Sequence, residues 1–133
     1  MRIVGLMIGL LAVTGCASAP VEPSGPVDVQ VILAPGQQTD VEGTTLRLRF
    51  DAVVGDSRCP ADALCILGGD AIVRIAVLTN RGGETIHDLH TGIMQPVRRH
   101  DGLTIALVEL NPYPFSGRTT PQADYRARFR VTR

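Results

Sequence analysis

The chain has 133 residues, and its 13 basic and 13 acidic side chains cancel to a formal net charge of zero at pH 7, so no long-range field steers it toward nucleic acid. Every basic residue is arginine, and aromatic side chains make up only 4%, so a core here must be built mainly from aliphatic residues. The three cysteines leave one over if the other two pair.

Met1-Arg2 is followed by an uninterrupted apolar run from Ile3 to Val13. At about 1.5 Å per residue such a run reaches about 16 Å, roughly half of a ~30 Å hydrocarbon core, so it reads as a signal peptide and not as a permanent span. No later stretch is apolar enough to cross a membrane.

The run ends in Val13-Thr14-Gly15-Cys16, a boundary that resembles the lipobox of bacterial lipoproteins. The resemblance implies a signal peptide over residues 1–15, cleavage after Gly15, a diacylglycerol thioether on Cys16 and an acylated amino terminus. One acyl chain holds a protein at a bilayer only marginally, whereas several chains on one residue anchor it stably. The implied partner is therefore membrane lipid through Cys16. Ala17 in place of aspartate further implies the periplasmic face of the outer membrane. An ordinary secreted protein with a cysteine at this point is the alternative.

Loss of Arg2 with the leader leaves 13 − 1 = 12 basic against 13 acidic residues, a mature charge of −1. Residues 17–26, ASAPVEPSGP, carry no apolar periodicity and read with Cys16 as a tether; mostly extended, it would hold a domain about 30 Å from the bilayer. Residues 27–133 suit one domain burying roughly two-thirds of its unfolded surface.

Period-two alternation dominates that domain. Val27, Val29, Val31 and Leu33 share one face; Leu46, Leu48 and Phe50 alternate with polar residues; Val73, Ile75 and Val77 form a third row. Asn80-Arg81-Gly82-Gly83 is a hairpin turn and ETIHDLH its return strand. Leu103, Ile105 and Leu107 mark a further strand, and Tyr125, Ala127, Phe129 and Val131 the last; short strands near Thr39–Val41 and Ile93–Val97 complete the set. No window makes a helix of ten residues. The expected fold is all-β, a small antiparallel sandwich of immunoglobulin-like architecture with about seven strands, and a small β-barrel is the alternative.

Between the second and third clear strands lies GDSRCPADALCILGGD, residues 55–70. With Cys16 lipidated, Cys59 and Cys65 are the pair left for a disulfide in an oxidising compartment. The chain-entropy model assigns about 2.4 kcal/mol to so short a ring, and Pro60 is placed to start a tight helical turn that brings the sulfurs together. The spacing is not the CxxC arrangement of redox-active pairs. Asp56 and Arg58 flank Ser57, where they either brace the backbone or contact a ligand.

This stretch is similar to the signature of small bacterial exported proteins with a DSRCP…C…G motif, many of them lipoproteins and without an assigned biochemical activity. The similarity extends over about residues 44–132 and takes in Pro112-Tyr113-Pro114 and the terminal strand near Tyr125. Relatives often carry tryptophan two residues after the second cysteine; this chain has Leu67 there.

Other chemistry is thinly supported. His87 and His90 point to opposite faces of a strand and cannot close on one ion, Asp88 and His90 share a face that His100 would approach from the next loop, and no metal or cofactor is expected. No GxSxG elbow surrounds Ser57 and no phosphate loop is present. Arg126, Arg128 and Arg130 line one face of the last strand; with Arg47 and Arg49 on a neighbouring strand they would form a patch for phosphates or carboxylates of an envelope polymer or partner, the alternative being a solvated face with acidic neighbours. Tyr113 and Phe115, in the proline-rich connection 111–123, are expected to plug one end of the sandwich, or else to form an exposed contact loop. The function expected is that of a lipid-anchored, non-catalytic module binding or bracing an unidentified envelope protein or polymer. A small hydrolase or metal-handling protein built around the cysteine loop is the second possibility.

Overall fold

The structure, a computed structural model, describes residues 25–92 and 97–133. The leader, Cys16 and most of the tether lie outside the described residues, as do residues 93–96 of the expected strand at 93–97. Eight strands are described: β1 Asp28–Leu33, β2 Gln38–Asp40, β3 Leu46–Asp56, β4 Ala71–Thr79, β5 Glu84–His90, β6 Val97–His100, β7 Leu103–Asn111 and β8 Arg126–Thr132. A single 3₁₀ turn at Gln122–Asp124 precedes the last of them, and no α-helix occurs among the described residues.

These strands form two antiparallel four-stranded sheets, ordered β1-β8-β7-β6 and β2-β3-β4-β5. The fold is a β-sandwich, and the sheets do not close into a barrel. The inward rows read from the alternation form its core: Leu48, Phe50, Val73, Ile75 and Val77 from one sheet meet Ile105, Ala127, Phe129 and Val131 from the other. Phe50 and Phe129 join the layers edge to face, ring centres 5.9 Å apart.

Two strands outrun their simple alternation. In β3, register shifts between Phe50 and Ala52 and between Val53 and Gly55 turn Val53 inward, although Leu46, Leu48 and Phe50 set the opposite parity. In β7, a shift between Leu107 and Glu109 likewise turns Leu110 into the core. Both irregularities fall in the half of the sandwich nearest the cysteine loop.

The pairing fixes which loops share an end. Val27, the turn before β3, the 80–83 hairpin, Asp101-Gly102 and Arg133 gather at one end: Arg133 N–H donates to the Val27 carbonyl at 3.0 Å, and Gly43 lies against the Val27 side chain. The cysteine loop and the connection between β7 and β8 gather at the other end, away from the amino-terminal side of the domain.

Candidate functional site

The residues between β3 and β4 begin as a continued ladder and end as a protruding tip. Ser57 N–H donates to the Asp70 carbonyl at 2.7 Å and Cys59 N–H to the Gly68 carbonyl at 2.9 Å, drawing the neck of the loop together. Gly69 sits at φ +69 with its α-carbon against the Ser57 carbonyl, where any Cβ would overlap that oxygen, so only glycine fits the neck. Beyond it, Cys59 and Cys65 form a disulfide across a Cα–Cα distance of 5.9 Å. Pro60 opens a single hydrogen-bonded turn, with Ala63 N–H donating to its carbonyl at 3.1 Å, in place of the expected helical turn.

A ring this small has no interior. Leu64, Ile66 and Leu67 therefore stand outward, exposed to 106%, 102% and 80%. Leu67 is thus an outward-facing apolar residue of this tip.

The inward position under the loop is taken by a charge. Arg58 is 6% exposed, the one buried charged residue described. Its Nε and Nη2 donate to both carboxylate oxygens of Asp56 at 2.9 and 2.7 Å, while Nη1 and Nη2 donate to the carbonyls of Leu110 and Pro112 at 2.6 and 2.8 Å. The Tyr113 ring lies over the guanidinium, 4.7 Å from centroid to Cζ. Asp56 also accepts from the Tyr125 hydroxyl at 2.9 Å. Burial alone would push the Asp56 carboxyl up, but the donors from the Arg58 side chain and backbone and from Tyr125 outweigh it and hold the pKa below the usual carboxylate value. The Arg58 and Asp56 side chains are only 5% and 9% exposed, and their polar atoms are taken up by each other, by Tyr125 and by the two carbonyls. Of the alternatives for Asp56 and Arg58, bracing is the one the geometry supports: one guanidinium ties the cysteine loop to the far sheet's connection.

That connection completes the tip. The Asn111–Pro112 peptide is cis, Ala61 N–H donates to the Pro114 carbonyl at 2.9 Å, and Ser116 N–H donates to Asp62 Oδ1 at 2.8 Å. Tyr113 and Phe115 are 55% and 45% exposed. The expected plug is corrected: these rings stand about half exposed on a loop bonded to the cysteine loop, because the aliphatic rows already fill the core and Arg58 occupies the space beneath. A groove of about 460 Å³ runs alongside, lined by Arg58, Thr91, Glu109, Leu110, Tyr113 and Arg128.

The remaining candidates separate. The Ser57 hydroxyl donates to the Asp70 carbonyl at 2.9 Å and accepts from Asp70 N–H, so it serves the loop neck and bonds to no histidine. His90 Nδ1 lies 2.6 Å from Asp70 Oδ2, and Asp88 pairs with Arg74 at 2.8 Å. His100 does not approach that outer face; it meets His87 on the inner one, ring centres 5.7 Å apart.

Arg126, Arg128 and Arg130 do share the outer face of β8. Arg47 and Arg49 do not extend their row, since β3 belongs to the other sheet. Arg130 is bidentate to Asp28, Arg128 lies 3.2 Å from Glu109, and Arg126 donates to the carbonyls of Ala123 and Tyr125. The row is a solvated face threaded with carboxylates from neighbouring strands.

The apolar tip is the feature that sequence reasoning undervalued. Three aliphatic residues within and just after a disulfide ring too small to enclose them were the available signal. No family model, curated protein or solved structure matches the chain.

Proposed function

We propose that this protein is a cell-envelope module, anchored by lipid on Cys16, that binds another envelope protein without catalysis through its disulfide-braced tip. The observation that carries the reading is the exposure of Leu64, Ile66 and Leu67 beside Tyr113 and Phe115. Single exposed apolar residues are ordinary, whereas three within four positions of a disulfide loop, which is itself hydrogen-bonded to the loop of Tyr113 and Phe115, are a concentration of the kind that marks an interaction site. The bracing beneath it, by Arg58 and the disulfide, holds the loop backbone in one shape before any partner arrives, which lowers the ordering cost of binding.

Placement favours a protein partner over the anchoring bilayer. The tip lies at the end of the sandwich opposite Val27, where the tether joins. An attachment at Val27 makes the tip the part of the domain farthest along the strands from the anchor that the tether implies. A second copy is a poorer fit, because tip-to-tip contact would bury less than the ~800 Å² per partner that stable interfaces need. The engaged state of Ser57 argues against the hydrolase alternative.

The test is site-specific photo-crosslinking in the native envelope, with the crosslinker at Ile66 and, as comparison, at Arg130. A discrete protein adduct from position 66, absent from position 130 and lost when Leu64 and Leu67 are changed to glutamate, supports the proposal. Adducts to lipid alone, or equal protein adducts from both positions, overturn it. Metabolic labelling of Cys16 with a fatty-acid probe tests the anchor separately, and an unlabelled mature protein removes it.

A further inference from the structure

Each sheet has two edge strands, and three of the four carry a feature that discourages further pairing. β2 is three residues long, β6 is four residues with two arginines, and β5 sets Glu84 and Asp88 on its outer side and the His87 imidazole on its inner side. β1 has none of these features. Its six residues pair with β8 in an unbroken register, its inward row includes Val29 and Val31, and its one charge, Asp28, is neutralised by Arg130 of β8. Ile32 stands on its outer row, 59% exposed.

The hydrogen-bond phase of β1 decides what fits this edge. Arg133 N–H donates to the Val27 carbonyl, so Val27, Val29, Val31 and Leu33 exchange main-chain bonds with β8, and the alternate residues Asp28, Gln30 and Ile32 turn their N–H and C=O groups outward. A second β1, turned about a two-fold axis at Gln30, presents its own three at the same spacing. Gln30 then meets Gln30 of the second copy, and Asp28 meets Ile32 on either side of the axis, with two main-chain bonds to each of the three pairs. Moving the axis by one residue either way leaves only two of these residues matched. On the inner face, Val29 lies opposite Val31 of the second copy, and no like charges oppose each other.

We propose that two copies of this chain join edge to edge through β1, forming one continuous sheet with four strands from each copy across an isologous two-fold interface. An edge about 20 Å long and ~10 Å deep falls below the ~800 Å² per partner of a stable interface. The joint therefore rests on the lipid-anchored reading above, because copies confined to one membrane meet at a raised effective concentration. Across the axis the two Val27 residues stand about 20 Å apart, within reach of two ten-residue tethers on one bilayer. The tips then stand at the two far ends of the pair, which offers two binding surfaces in place of one.

The experiment is cysteine trapping of the full chain in its native envelope. At the axis, Cα atoms about 5.5 Å apart suit a disulfide, so Gln30→Cys is expected to give a covalent dimer. Ile32→Cys alone is not, since the two copies of that position stand about 13 Å apart, whereas Asp28→Cys and Ile32→Cys on co-expressed copies trap each other. Position 32 is exposed and faces Asp28 of the second copy, so its charge tests the joint without disturbing the fold: in the Gln30→Cys background, Ile32→Glu should cut trapping at least fivefold and Ile32→Arg should preserve it. Failure of Gln30→Cys to trap, equal trapping at positions 30 and 32, or indifference to the sign of charge at 32 overturns the joint, whether or not Cys16 carries its fatty-acid label. An unlabelled Cys16 overturns the anchor instead.

Discussion

The side chain of Gln122 pairs with the backbone of Val53: its Oε1 accepts from the Val53 N–H at 3.1 Å and its Nε2 donates to the Val53 carbonyl at 2.6 Å. Beyond Phe50, β3 has no strand on its outer side, because β2 ends at the register Gln38–Arg49. A primary amide has the same donor and acceptor as a peptide unit, so Gln122 stands in for the missing strand and covers an edge that would otherwise template aggregation. Gln122→Leu is expected to cost about 1–2 kcal/mol through the unpaired backbone groups. The Val53 amide should then exchange with deuterium faster than its neighbours in β4, and unchanged exchange would show that the pairing is dispensable.

Arg58 is expected to be the costliest single polar residue to remove. Arg58→Met leaves Asp56 buried without its counter-charge and frees two carbonyls, a loss of about 3–5 kcal/mol. Arg58→Lys restores the charge but not the planar fork that reaches Asp56, Leu110 and Pro112 together, and should recover only part of it. Adding Asp56→Asn to Arg58→Met should cost less than the sum of the singles, which denaturant titration of the four-member cycle measures.

At the loop neck, Gly69→Ala is expected to destabilise more than the ring disulfide stabilises, since its Cβ would collide with backbone that cannot swing aside. Reduction of Cys59–Cys65 should cost about 2.4 kcal/mol by the chain-entropy model. Thermal melts of the Gly69→Ala chain with and without reductant compare the two.

Acid should weaken the fold in two separate steps. His87 is held below its ordinary value of 6.5 by burial, His100 and Arg98, so as the pH falls below 6.5 the unfolded chain takes a proton that the folded chain refuses, and stability drops. Above 6.5 this group contributes no slope. Asp56 is held below 3.8 despite its burial, so its contribution is present above that pH and lost as the pH falls through the lower folded value. Melting temperature against pH should lose its first slope in His87→Gln and its second in Asp56→Asn; slopes unaffected by either change would assign them elsewhere.

Substitutions at the tip should separate binding from stability. Leu64→Ser, Ile66→Ser and Leu67→Ser remove side chains that bury almost nothing, so each should stay within about 0.5 kcal/mol of the parent in a melt. A large loss would mean that the tip packs against the domain and is no free surface.

The layers of this protein were legible from its alternation alone. Period-two rows in β1, β3, β4, β7 and β8 reflect a constraint that acts residue by residue, the pleat, and burial on one side of it. The Cys59–Cys65 ring was legible for a similar reason, since both partners lie within one short loop. What sequence could not supply was the set of neighbours across the molecule. Arg47 and Arg49 have the alternation of the β8 arginine row, but the pairing puts them on the other sheet; His100 meets His87 and not the face of His90; Tyr113 and Phe115 are outside because Arg58 is underneath. Local periodicity determined which faces are buried, whereas only the stacking of two sheets decided which residues, tens of positions apart, share an end, an edge or a charge.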